Sequence, residues 1–242
     1  MAPKPRITPR LTTDADEDAE RTGLSLYASQ GQRLANPSPL AMGGFATTLL
    51  TVSLAMMGFR GVSTQTVFVG NLCFVACVAL LISAQWEMVR GNTFSYTVLS
   101  AFGLFYGGYG AIMIPALGIV DAYGGYTPEY YNAMGFFVLI WAVLDVFFLI
   151  ASVSFNIVYI GIFLTVELCF ALDASSYFAL ADGNLAASAA LMKAAGVFGF
   201  LAGLLGFYTV AHYMFEDAFA FHIPMGDTSS IFKKYKNAKS ME

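Results

Sequence analysis

Three acids stand inside long runs of apolar residues: Asp145, Glu167 and Asp173. A carboxyl group in hydrocarbon costs a few kcal/mol or more, so it faces a cavity or a partner and is by default a functional residue. A carboxyl group can also take up and release a proton. The three are therefore proton-carrier candidates, with Glu167, nearest the middle of its apolar run, the foremost. The plainer alternative is burial at a helix contact in the protonated form, bonded to a hydroxyl such as that of Thr165 or Ser175.

A second chemistry belongs to Asn36-Pro37-Ser38-Pro39-Leu40. Pro39 suits a first helical turn, where its missing N–H is not needed, and Ser38 suits the cap before it. Pro37 keeps Asn36 extended. The result is a rigid entrance to a helix whose free N–H groups and partial positive charge favour an anion. A plain helix cap is the equal alternative from these residues alone. Further along, His212 and Glu216 lie four apart, on one helix face, with Asp217 beside them. They fit a proton relay or, more simply, an interfacial pair, while His222 is expected in solvent. Cys73, Cys77 and Cys169 all fall in apolar runs and read as small buried hydrophobes, since two thiols without a His or acidic neighbour make no metal site.

The elements that carry these residues follow from composition. Of 242 residues 57% are hydrophobic and 12% charged, against roughly 25% charged in a soluble domain. The middle of the chain cannot cover a water-facing surface, so its solvent is lipid. A soluble enzyme, a nucleic-acid binder and a disulfide scaffold are excluded. No zinc motif, nucleophile–base pair or phosphate loop is present, and neither a metal nor another cofactor is expected.

Residues 1–35 form a polar tail with an acidic run from Asp14 to Glu20; Leu24–Leu34 is the place for a short interfacial helix. Six apolar segments follow, at about 38–58, 66–86, 93–117, 132–153, 157–180 and 190–214. Each reaches the roughly 20 residues that cross about 30 Å of hydrocarbon. The fold class is all-α integral membrane, a bundle of six transmembrane helices over 36–215, followed by a carboxyl tail over 216–242. Ten of the 12 Lys and Arg residues fall on one side of such a bundle: Lys4, Arg6, Arg10, Arg21, Arg33, Arg90, Lys233, Lys234, Lys236 and Lys239. Arg60 and Lys193 fall on the other. Both termini are expected in the cytoplasm. Gly103, Gly107 and Gly110, then Gly196, Gly199, Gly203 and Gly206, draw small-residue stripes that let helices approach closely in lipid.

The residues from Asn36 to Leu40, with Gly44-Phe45 and Thr47-Thr48 after them, resemble the signature of the acetate uptake transporter family, small carriers of acetate and succinate in bacteria and fungi. Trp86-Glu87, Gly91-Asn92-Thr93-Phe94 leading to Gly103, Pro115, and Lys193-Ala194-Ala195-Gly196 with Gly199 agree. The resemblance covers about 35–215 and implies a six-helix protomer in a hexamer, each protomer with its own path. It implies a constriction at Phe45, Phe102 and Leu164, and a substrate-size position at Gly206. Phe102 stands where the family usually has tyrosine. Ala76, Cys77 and Leu80 stand where it commonly has Gly-Gly-x-x-Gln.

The resulting expectation is a plasma-membrane transporter for a short monocarboxylate such as acetate, linked to protons or carrying the neutral acid. The bundle offers no deep Lys or Arg to hold a permanent anion, only hydroxyls along the path at Ser38, Thr47, Thr48 and Ser100. The rivals are a channel for ammonia or another small neutral solute, and a membrane scaffold that kept the fold. Expected partners are the solute, protons and membrane lipids, with no nucleic acid.

Overall fold

The computed structural model describes residues 35–62, 64–219 and 221–231. The expected interfacial helix at Leu24–Leu34, and all but Arg90 of the ten Lys and Arg residues expected on the cytoplasmic side, lie outside the described residues. The chain divides into two units, Met1–Asn36 and Pro37–Glu242; the architecture below is that of the second.

Among the described residues it holds six long helices: α1 Ser38–Met56, α2 Thr66–Val89, α3 Thr93–Ile112, α4 Pro128–Ser152, α5 Ile157–Ala181 and α6 Leu185–Ala218. All but α3 are long and apolar enough to cross a membrane. At 20 residues α3 is also about 30 Å long, but its tyrosines, glycines and hydroxyl residues make it less apolar. Among the described residues there is no strand beyond one isolated bridge between Asn156 and Asp227.

The helix starts are set by side chains. Asn92, Thr127, Asn156 and Asn184 each accept a hydrogen bond from the backbone N–H three residues on, which satisfies one of the orphan donors of a helix start. The caps at Thr127 and Asn184 begin α4 and α6 earlier than hydropathy alone suggests. Pro115 ends α3 before the expected residue 117: Ile114, just before it, is extended at φ −80°, ψ 112°, as a pre-proline residue must be. The start of α1 corrects the sequence reading. The helix begins at Ser38, Pro37 occupies the cap position, and no side chain caps it.

Neighbouring helices pack in the order α4, α5, α6, α1, α2, α3. Aromatic rings close the circuit between α3 and α4: Phe105 lies 5.8 Å from Phe137 and 5.3 Å from Trp141. The glycine stripes work as packing surfaces. A Cβ at Gly107 or Gly110 would come within 2.8 Å or 2.6 Å of the Cys77 and Cys73 sulfurs, so these thiols of α2 fill the space that α3 leaves. A Cβ at Gly196 or Gly199 would meet Ser53 of α1 at 2.9 Å and 2.5 Å. In α2 the turn widens to a π-helix over Asn71–Ala76, and the Thr48 hydroxyl donates to the Asn71 carbonyl at 3.2 Å.

The carboxyl tail was expected to leave the bundle at residue 216. Instead α6 runs on to Ala218, and residues 221–231 turn back along the bundle end. The N–H of Ile157 donates to the Gly226 carbonyl at 2.9 Å, and the Tyr208 hydroxyl to the Pro224 carbonyl at 2.6 Å. The Thr228 hydroxyl donates to the Val153 carbonyl at 2.7 Å.

Candidate functional site

The centre of the bundle is a cluster of buried rings from four helices. Phe45 of α1 meets Phe102 of α3 edge to face at 6.3 Å. Phe102 is in turn 6.1 Å from Phe148, 6.4 Å from Phe163 and 6.3 Å from Phe170. Edge-to-face and offset contacts of this kind are the favoured geometry of aromatic pairs.

Two cavities flank the Phe45–Phe102 pair, and those two residues alone line both. Each holds about 50 Å³, several times the roughly 10–15 Å³ that one water needs. The first opens toward the starts of α1 and α3, where Ser38, Ser95 and Tyr159 give it polar edges; Leu80 is in its wall. The second is lined by Leu72, Tyr106, Cys169 and Asp173, and reaches Tyr109. Tyr109 also borders a wider vestibule of about 670 Å³, and its hydroxyl is 3.3 Å from that of Tyr177. Tyr126, Tyr130 and Tyr131 line this vestibule as well. The three spaces thus share boundary residues in turn, Phe45 and Phe102 between the first two and Tyr109 between the second and the third. Among the described residues no Lys or Arg lines any of them.

Behind the first cavity lies a carboxylate that sequence reasoning named only as part of a motif. Glu87 is 1% exposed. It accepts hydrogen bonds from the Ser38 hydroxyl at 3.0 Å, the Asn92 amide at 2.9 Å and the Arg90 guanidinium at 3.1 Å. The Ser38 hydroxyl therefore ties the start of α1 to the end of α2. Asn92 does two jobs, since its oxygen also caps α3 at the Ser95 N–H.

The expected site residues divide sharply. Phe45 and Phe102 meet at the boundary of the two cavities. Leu164 does not join them: it is 46% exposed, and the inward face of α5 carries Phe163, Val166 and Phe170 instead. Gly206 lies directly behind Phe45. Ser38 lines the first cavity, whereas Pro39, Leu40 and Thr47 border an outward groove between α1 and α2. Asn36 belongs to the amino-terminal unit, and Pro37 to the start of the bundle. Thr48 is buried against α2, and Ser100 lines none of the three spaces.

Of the acids, Asp173 borders the second cavity, and its Oδ1 has no hydrogen-bond partner among the described residues. Asp145 is 1% exposed, neither of its oxygens has such a partner, and it borders none of the three spaces. Glu167 is part-buried, within electrostatic reach of Asp145 and away from the three spaces. The hydroxyls of Thr165 and Ser175 bond back to their own helix, to the carbonyls of Gly161 and Ala171, rather than to an acid.

Comparison with known proteins adds four findings. Residues 21–227 match the model of the GPR1/FUN34/yaaH family. The chain is 39% identical over 230 residues to "Acetate transporter protein patA" of Penicillium expansum, covering 95% of this chain and 92% of that protein. It is 31% identical over 176 residues to "Ammonia transport outward protein 2" of Saccharomyces cerevisiae, covering 73% of this chain and 60% of that one. Among solved structures, "Structure of the bacterial acetate channel SatP" superposes with a TM-score of 0.68 at 26% identity, covering 80% of this chain and all of that one.

Proposed function

The chain belongs to the GPR1/FUN34/yaaH family, and from that membership we propose that it carries a short monocarboxylate such as acetate across a membrane through the three adjoining spaces. The observation that carries the reading is the Phe45–Phe102 pair, the sole boundary residues shared by two cavities of small-solute size. Two rings that exclude water make a dry gate; a small molecule crosses when they part.

The walls favour the neutral acid. An ionised carboxylate entering the second cavity would find no Lys or Arg there, and Asp173 instead. A proton shared with Asp173, or carried on the substrate itself, removes that repulsion. Proton linkage is thus part of the proposal. So is a sixth membrane crossing by α3, whose length suffices and whose inward face supplies Phe102, Phe105 and Tyr106. A plasma-membrane location with both termini inside, and assembly as a homo-hexamer, complete it.

A second reading, passage of ammonia, is favoured by one observation. Leu80 and Phe102 leave the first cavity and its gate without an amide or hydroxyl at the narrow point. Purified protein in liposomes, given labelled acetate at acidic and at neutral external pH, decides between them. Uptake that rises as the medium is acidified supports the acid carrier. Ammonia flux without acetate flux supports the rival, and no flux of either solute overturns both.

A further inference from the structure

We propose that His212, Glu216 and His222 form a binding site for one zinc-like divalent cation, which fastens the carboxyl tail to the end of α6.

The three side chains come from two segments. His212 and Glu216 are one turn apart near the end of α6, and His222 lies beyond the helix, where the chain has begun to turn back. One potential ligand atom from each lies within 4.8 Å of the other two. Two imidazoles and a carboxylate are a donor set that zinc takes, with the fourth position left to water. Imidazole donors also suit copper and nickel, so the chemistry is that of a divalent transition cation rather than of calcium or magnesium.

The protonation pattern at His212 is set by its neighbour. Its Nδ1 is 2.6 Å from the carbonyl oxygen of Ile223. A carbonyl only accepts, so Nδ1 carries the proton and donates. Such an N–H to a carbonyl is the usual support of a metal-bound histidine, because it fixes the ring and directs the other nitrogen at the metal. In the neutral ring Nε2 is then a bare lone pair. It points at a carboxylate oxygen of Glu216 3.7 Å away, beyond hydrogen-bond distance. Two electron-rich atoms in that relation call for a positive charge between them. A zinc ion with bonds of about 2.0–2.1 Å holds tetrahedral neighbours about 3.3–3.4 Å apart, so this pair has to close by only a few tenths of an ångström. The ring of His222, 5.1 Å from that of His212 between centroids, has to move in by at most about 1.5 Å to bond at the same distance. It is exposed and free to do so.

The site has a structural consequence. The tail it would hold bonds to Val153 and Ile157 in the turn between α4 and α5. Phe155, in that turn, stacks on Phe94 at 4.5 Å, and Phe94 lines the first cavity. Beside His212, Tyr213 shares a 2.8 Å hydroxyl contact with Tyr159, another residue of that cavity. A cation at the three ligands therefore pins the tail where it supports the cavity mouth. None of this depends on which solute is carried.

The test uses full-length protein without a polyhistidine tag, stripped with chelator and kept in detergent. Zinc is titrated against a chromogenic chelator, and backbone hydrogen exchange of residues 221–231 is followed with and without zinc. The expected result is one zinc per protomer, slower exchange in that segment, and at least tenfold weaker binding in both His222→Ala and Glu216→Gln. Both altered side chains are exposed, so the bundle folds without them. Absence of zinc binding, binding by either variant as tight as that of the wild type, or zinc binding that leaves exchange unchanged each overturns the proposal. So does stronger protection of that segment on acidification alone, after correction for the intrinsic slowing of amide exchange at low pH, with no zinc bound, since that result makes the group an imidazolium–carboxylate pair.

Discussion

Gly206 of α6 is the wall against which the Phe45 ring rests. A Cβ at position 206 would lie 3.1 Å from Cδ1 of that ring and 3.0 Å from the Ala46 Cβ. Because α1 and α6 pack along much of their length, the backbone is held and the ring is the part that can move. The direction open to it is toward Phe102, across the boundary between the two cavities. Gly206→Ala is therefore expected to narrow the gate. Overpacking of one methyl group costs about 1 kcal/mol, and if that falls on the open state the flux drops about fivefold. Gly206→Val should lower it further, and propionate should suffer more than acetate. Uptake of both acids into liposomes checks this; equal loss for both would mean that the change acts on folding and not on the gate.

Asp173 and Asp145 are both buried acids, yet only Asp173 borders a cavity. Their substitutions should separate. Wild-type acetate uptake is expected to rise as external pH falls, because protonation of the solute or of Asp173 removes a negative charge from the second cavity. Asp173→Asn fixes that side chain neutral, so uptake should persist while its pH dependence flattens. Asp145→Asn should leave the shape of the profile unchanged. Initial uptake rates across a pH series give the answer, and a flattened profile in Asp145→Asn with a normal one in Asp173→Asn would reverse the assignment.

Glu87 joins the start of α1, the end of α2 and the cap of α3 through Ser38, Arg90 and Asn92. Glu87→Gln keeps an acceptor for Ser38 or Asn92 but loses the charge. Glu87→Ala leaves the Ser38 hydroxyl and the Asn92 amide without this partner, a loss of about 3 kcal/mol for a buried charged hub. Thermal unfolding in detergent should rank wild type above Glu87→Gln and Glu87→Ala lowest. If the two variants melt together with the wild type, the network does not hold these helix ends.

The helices were legible because lipid-facing segments must be continuous and their starts carry recognisable caps: Asn156 before α5 is visible as such in the sequence. Which face of a helix turns inward was not. In lipid the outer face is as apolar as the core, so nothing in the sequence distinguishes Phe163 from Leu164, although one residue of rotation separates the aromatic cluster from the exposed surface. The Phe45–Phe102 contact was reached through the resemblance, not through hydropathy. Glu87 was missed as a hub because Ser38, its donor, is 49 residues away. The visible sign was three polar residues, Glu87, Arg90 and Asn92, gathered at a helix break. The return of the tail had no sign, since its anchors are mostly backbone carbonyls.

Leu80 and Phe102 are the two places where the path is more apolar than the resemblance implies, and the structure puts both in the wall of the first cavity. Restoring polarity there bears directly on which solute passes. Leu80→Gln adds an amide donor facing the cavity that Ser38 and Ser95 already edge. Phe102→Tyr adds a hydroxyl to a ring enclosed by Phe45, Phe148, Phe163 and Phe170, where it must find a partner in one of the two cavities or lose about 1–3 kcal/mol. A donor at the gate stabilises an ionised carboxylate far more than it does a neutral acid. The variants should therefore gain acetate flux chiefly at neutral pH, where the anion predominates, and little in acidic medium. Ammonia flux, which needs no anion donor, should not rise. Acetate and ammonia fluxes measured at both pH values on the two single variants and their double decide the matter. If acetate flux at neutral pH stays at the wild-type level in all three, these two positions do not set the selectivity of the path.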